Sequence, residues 1–263
     1  MKKILALLLA LSMIFAFAAC TPSGNDTTAS PDASTNGGEE TETVDPKSEG
    51  VMTYAEYMEA EIDSEVVVET YVQATQSWWD DKVTVYSQDY DGAYFLYDMA
   101  CSEEDFALLD AGTKIKVTGY KAEWSGIIEI IDATFEILEG SYVAPAKDVT
   151  EFLGTDELID YMNQFVTFSG LTVVAVGQDE DGEDVAFFYN WDGSGEEGSD
   201  LYFNVSNGEE EFSFTIRRFL RDSTTEVYAA VKDLEIGDVI DLEGFLYWYN
   251  GPNPHITAIT PAS

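Results

Sequence analysis

Leu109-Asp110-Ala111-Gly112-Thr113-Lys114-Ile115-Lys116-Val117-Thr118-Gly119 recurs later in the chain as Leu234-Glu235-Ile236-Gly237-Asp238-Val239-Ile240-Asp241-Leu242-Glu243-Gly244. The two copies stay in step beyond the segment, with Gly126 matching Gly251, Ile131 matching Ile256 and Ala133 matching Ala258 at the same offset. Glycines recurring every seven positions in both copies mark a duplicated structural unit. Ile115 and Val117 alternate with Lys114, Lys116 and Thr118, the period of a strand with one buried face, and Val239 and Leu242 keep a similar rhythm. Gly119 and Gly244 then fall where a strand bends sharply or meets another backbone.

Working outward, the first copy carries a β-rich run at 66–75, then 83–88, an Asp91-Gly92 turn and 93–97, which reads as a hairpin. Ser102 followed by Glu103, Glu104 and Asp105 supplies a cap and acids for the positive end of a short helix. The second copy repeats this order with 165–176, 201–206, an Asn207-Gly208 turn, 211–217 and a helix over 224–234. Its first connection is longer and holds an extra segment near 185–191, and helical lead-ins are expected at 54–60 and 156–163.

Three strands, a short helix and two more strands is an order that resembles the oligonucleotide/oligosaccharide-binding (OB) fold, a five-stranded Greek-key barrel. Leu234 to Gly244, read as Leu-x-x-Gly-Asp-x-Val-x-x-x-Gly, also resembles the fourth-strand signature of that superfamily. The fold class is therefore mainly β: two tandem five-stranded OB-fold-like barrels, each with a short helix between strands three and four, in domains at 51–147 and 148–263. A pair of immunoglobulin-like sandwiches fits less well, because each copy has too few strands and an internal helix.

The chain opens with Met1-Lys2-Lys3, and residues 4–19 are apolar except for Ser12. That is the layout of a signal peptide, 1–19. As a helix it would reach about 24 Å, short of the ~30 Å hydrocarbon core. Phe17-Ala18-Ala19-Cys20 resembles the lipobox of bacterial lipoproteins, with Phe17 where that family carries Leu, Val or Ile. The resemblance implies cleavage before Cys20, diacylglycerol on its sulfur with acyl chains such as palmitate, and attachment to the extracytoplasmic face of a membrane. A secretory cut after Ala18 is the alternative and would leave Cys20 a plain thiol. Residues 21–50 are polar, small and free of aromatics, too poor in apolar surface to fold, and read as a disordered linker from the lipidated cysteine.

Asp and Glu number 51 against 12 Lys and Arg, a net charge of −39. Such a surface repels phosphate backbones, so the charge argues against nucleic acid as a partner. Arg217, Arg218 and Arg221 form the one basic cluster and read as counter-charges for nearby carboxylates. With Cys20 taken by lipid, Cys101 has no disulfide partner and reads as a buried small hydrophobe. Asp179-Glu180-Asp181-Gly182-Glu183-Asp184 fails the calcium-loop pattern, since Gly177 and Phe188 would stand at the first and twelfth ligand places. The lone His255 aligns with Ile130 and has no nucleophile or acid set around it, so no catalytic residue, metal or cofactor is expected.

What remains as a site is aromatic. The resemblance places ligands on the face of strands two and three, between the loops joining strands one to two and four to five. Trp78, Trp79, Trp124, Trp191 and Trp248 fall at or beside those loops, with Tyr247 and Tyr249 flanking the last. Exposed rings there offer stacking faces to a glycan, a peptide or a partner protein of the cell envelope. Aromatics also serve as barrel cores, which leaves a structural or assembly subunit as the alternative and an OB-type nucleic-acid binder as the third.

Overall fold

A computed structural model describes residues 47–262. The signal run, Cys20 and most of the linker lie outside the described residues.

Helix α1 (Tyr54–Glu59) leads into β1 (Glu65–Thr75), β2 (Lys82–Gln88), β3 (Ala93–Ala100), the one-turn α2 (Glu103–Phe106), β4 (Thr113–Trp124) and β5 (Ile127–Ser141). The strands close in the order β1-β2-β3-β5-β4. A two-residue strand β6 (Lys147–Asp148) then precedes β7 (Phe165–Val174), and β8 (Gly177–Gln178), β9 (Asp184–Val185) and β10 (Phe187–Tyr189) follow within the long connection. The second barrel is completed by β11 (Leu201–Ser206), β12 (Glu211–Ile216), α3 (Glu226–Lys232), β13 (Val239–Phe245) and β14 (His255–Pro261). It closes through β7-β11-β12-β14-β13, the same circuit, with β6 and β10 as added edges. Both barrels thus have the OB strand order.

The duplication extends to register. Val66 pairs with Gly119 and Val166 with Gly244, and each barrel shuts by a single parallel pair, Leu96 with Ile130 and Thr215 with His255. At both bend glycines the β4–β5 or β13–β14 ladder slips register. A Cβ on Gly244 would stand 2.3 Å from the His255 carbonyl oxygen, and one on Gly119 would stand 2.8 Å from the Ile131 oxygen. The strand can cross so closely only where no side chain intervenes. Ile115 and Val117 point into the first core with Val68, Val85 and Leu96, while Phe168, Phe203, Phe214 and Leu242 fill the second.

The hairpins fall at Asp91-Gly92 and Asn207-Gly208 as the turn chemistry predicts. The stretch expected as a helical lead-in at 156–163 differs: Asp156–Tyr161 is a 3-10 helix. Thr155 makes no side-chain cap there, and Met162 is drawn away into a core between the barrels. The acidic stretch from Asp179 is the turn of the β8–β9 hairpin, its Asp179 carboxylate accepting from the Asp181 and Glu183 amides.

That third core joins the barrels. Tyr86, Phe95 and Ile127 of the first pack against Phe245 and Leu220 of the second, with Met162 from the connection, and the Tyr86 and Phe245 rings stack at 4.5 Å. Burying each such side chain contributes about 1.5–3 kcal/mol, which makes the seam part of the folded unit. Backbone polar groups at the seam are satisfied across it. Phe165 N–H donates to Gln88 Oε1 at 2.8 Å, Asn163 Nδ2 to the Ile128 carbonyl at 2.9 Å, Ser77 N–H to the Phe219 carbonyl at 2.7 Å and Asn250 N–H to the Ser125 carbonyl at 2.6 Å.

Candidate ligand cleft between the barrels

The seam leaves a cavity of about 640 Å³ at its rim. The first barrel supplies Gln76 from the β1–β2 loop, Phe95 and Tyr97 from β3, and Trp124 where β4 ends. The second supplies Trp191 from the long connection, Tyr202 from β11, Arg217 just after β12, Tyr247, Tyr249 and Asn253 from the β13–β14 loop, and His255 from β14. Trp191 is 75% exposed and Trp124 59%, and Tyr97 and Tyr249 are about half exposed. Large rings held this open on a well-packed frame present their faces to solvent and to ligands.

The floor is polar and locked. Gln76 Nε2 donates to Tyr86 Oη at 3.0 Å, and Tyr86 Oη lies 2.7 Å from His255 Nδ1. Burial pushes the Tyr86 phenol far above its ordinary value, so the phenol keeps its proton. Burial, with the Arg217 charge, holds His255 well below 6.5, so the imidazole is neutral. The phenol accepts from Gln76, and when it gives its own proton to Nδ1 the imidazole proton sits on Nε2. His255 therefore offers a neutral donor to the cavity, and its ring is fixed by stacking on Tyr247 at 4.2 Å.

Charge near the floor is paired. Arg217 Nη1 meets Asp200 Oδ2 at 2.5 Å, and the other Asp200 oxygen accepts from the Arg218 amide at 2.8 Å. Behind Tyr247, burial and then the Asp98 charge raise the Glu129 carboxyl to about 7. Burial, with the Glu129 charge, raises the Tyr247 phenol to about 12.

The aromatic residues singled out in the sequence divide three ways. Trp124, Trp191, Tyr247 and Tyr249 line this one cavity. Trp78 and Trp79 line an adjoining one, and there they differ: Trp79 is 80% exposed, whereas Trp78 is half-buried against the first core and donates Nε1–H to the Cys101 carbonyl at 2.8 Å. Trp248 is half-buried between the second core and the seam. The cluster sits in the cleft between barrels rather than at two separate mouths. Gln76, Tyr97, Tyr202, Arg217, Asn253 and His255 were not singled out as ligand contacts; only the seam, formed by segments far apart in the chain, brings them together.

Cys101 is buried, and burial together with Asp105 raises its thiol to about 11, the opposite of an activated nucleophile. Among the described residues no cluster of three or more His, Cys, Asp or Glu could hold a metal, and no helix is long and apolar enough to cross a membrane.

No protein-family model matches the chain, and no curated protein sequence matches it. Solved structures with a similar course of strands include a HINa domain in complex with 20-base-pair double-stranded DNA, 11% identical, covering 76% of this chain and 100% of that one at a TM-score of 0.33. A murine DNA-binding protein bound to double-stranded DNA is 9% identical, with 75% and 96% coverage and a TM-score of 0.34. A replication protein A heterotrimer bound to single-stranded DNA is 8% identical, with 76% and 49% coverage and a TM-score of 0.28. Likenesses this distant define no ligand for the present chain. They do correct one expectation: net acidity argues against nucleic acid as a partner, yet these structures, similar in their course of strands, carry DNA.

Proposed function

We propose that this protein is a lipid-anchored, extracytoplasmic binding module, without catalytic activity of its own, that holds a glycan in the cleft between its barrels. The observation that carries the reading is the set of open rings, Trp124, Trp191, Tyr97 and Tyr249, around a floor whose donor is a neutral histidine. Sugar rings stack their C–H faces on aromatic faces and use their hydroxyls on fixed polar groups, and the cleft supplies both. The anchor is supported by Lys2, Lys3, the apolar run and Cys20 at its end. A diacylated cysteine is enough for stable attachment at about 0.8 kcal/mol per buried methylene.

The test is a glycan screen on the protein, with single-stranded DNA and peptides as comparison ligands, followed by titration of Trp124→Ala and Trp191→Ala. Loss of about 1.4 kcal/mol per ring, a tenfold drop in affinity, is the expected effect on glycan binding. DNA or peptide binding in place of glycan, or glycan affinity unchanged by both substitutions, would overturn the reading. Mass spectrometry of membrane-extracted protein tests the anchor: the expected chain begins at a lipidated Cys20, and an unmodified chain beginning at Ala19 contradicts it.

A further inference from the structure

The cleft continues past Gln76. A second cavity of about 650 Å³, lined by Trp79, Lys82, Asp80, Asp98 and Phe219, adjoins the first there, and a third, of about 380 Å³, runs on along Arg221 and Asp222. Gln76 borders all three, and Ser77, Arg218 and Phe219 border the latter two, so the cavities lie side by side along the seam and together make a row of recesses, called the groove below.

Every arginine of the chain lies on that groove. The sequence pattern suggested three counter-charges, but only Arg217 has that role. Among the described residues the ion pairs are Lys47–Asp89, Lys82–Asp98, Lys114–Glu69, Arg217–Asp200 and Lys232–Glu197; Arg218 and Arg221 join none. Arg218 rests its guanidinium on the Phe219 ring, 4.5 Å from the centroid, and is exposed. Arg221 is half-buried and spends one N–H on the Leu220 carbonyl at 2.8 Å. In a chain with 51 acidic residues, two guanidiniums lining a groove without a carboxylate partner are poised for acid groups brought from outside. The net charge does not cancel this attraction, because in physiological salt the distant carboxylates are screened beyond about 8 Å.

We propose that the groove binds an acidic polysaccharide: Arg218 and Arg221 receive its spaced carboxylate or phosphate groups while its sugar rings lie on Trp79 and on the rings of the first cavity. The choice of a sugar chain rests on the proposed glycan function and on the acids beside the arginines. Asp80, Asp98 and Asp222 accept hydrogen bonds from hydroxyl groups, so a ligand that alternates hydroxyls with separated acid groups satisfies both signs of charge in the groove. The length of the groove selects a chain over a single sugar.

Calorimetry on the full mature protein, with an oligogalacturonate long enough to span the groove and its methyl-esterified form, tests this, since the ester removes the charge and keeps the rings. The acid form is expected to bind about tenfold more tightly than the ester, and Arg218→Gln/Arg221→Gln to abolish that difference by weakening the acid form far more than the ester, with a melt confirming that the variant is folded. Arg218→Lys/Arg221→Lys, which keeps the charge but loses the fork, recovers part of the preference. Equal affinity for acid and ester, or a preference that survives the double glutamine variant, overturns the acidic subsite and leaves the glycan function standing. Binding of neither form nor any glycan overturns both. Arginine-dependent binding of single-stranded oligonucleotide without uronate binding shows a different polymer and overturns the assignment to polysaccharide.

Discussion

Tyr86→Phe removes one oxygen atom at the centre of the seam and leaves the ring in place. That oxygen accepts from Gln76 and donates to His255, so two partners from different barrels lose it together. The ring keeps its stacking on Phe245 and its packing with Phe95, so no cavity larger than the hydroxyl opens. A net hydrogen bond contributes about 0.5–1.5 kcal/mol, but stranding a buried partner such as His255 Nδ1 costs its full desolvation penalty, so the expected loss is about 1–3 kcal/mol. Urea denaturation followed by both fluorescence and circular dichroism measures it. Both proteins are expected to unfold in one transition, with a lower midpoint and an unchanged slope in the variant, because the barrels share a core. A loss under about 0.5 kcal/mol, or two separate transitions in the parent protein, would refute the idea that this bond fastens one barrel to the other.

Gly244→Ala forces a methyl group toward the His255 carbonyl and is expected to cost at least about 3 kcal/mol, whereas Gly208→Ala, with open space around it and φ +94°, costs about 1–2 kcal/mol; thermal melts rank the two. Glu129 has its folded value raised from 4.5 to about 7, so its stabilising contribution is full below pH 4.5 and is lost as pH rises through about 7. Glu129→Gln should therefore stabilise the protein by about 1–3 kcal/mol at pH 8 and change little at pH 4, as read from denaturation curves at the two pH values. For His255 the sign is opposite: its folded value is depressed, so the stability it contributes is present above pH 6.5 and declines below it. The imidazole C–H resonances should accordingly stay in the neutral position from about pH 7.5 to about pH 5.5.

Features that depend on neighbours in the chain were legible in the sequence. Asp91-Gly92 and Asn207-Gly208 name their turns by local backbone chemistry, and Ile115 and Val117 name a buried face by alternation. Gly119 and Gly244 revealed a close strand crossing because the missing Cβ leaves a mark in the sequence at the crossing itself. The seam left a weaker mark. Residues 83–88 are buried on both faces, yet an unbroken buried run in β2 does not say which neighbour covers the second face. Trp78 and Trp79 are adjacent and chemically identical, and only the distant Cys101 carbonyl separates the structural ring from the open one. The arginines hide their different roles for the same reason: Asp200, the partner of Arg217, reaches it across the β11–β12 pair, and no local pattern shows that Arg218 and Arg221 lack an equivalent.

The five indole N–H resonances test the cleft most directly. Titrating the isotope-labelled protein with a glycan ligand should shift Trp124, Trp191 and Trp79, the rings that open on the groove, and leave Trp78, bonded to the Cys101 carbonyl, and Trp248, packed in the seam, where they are. Shifts confined to Trp78 and Trp248, or binding with no change at Trp124 and Trp191, would contradict the account.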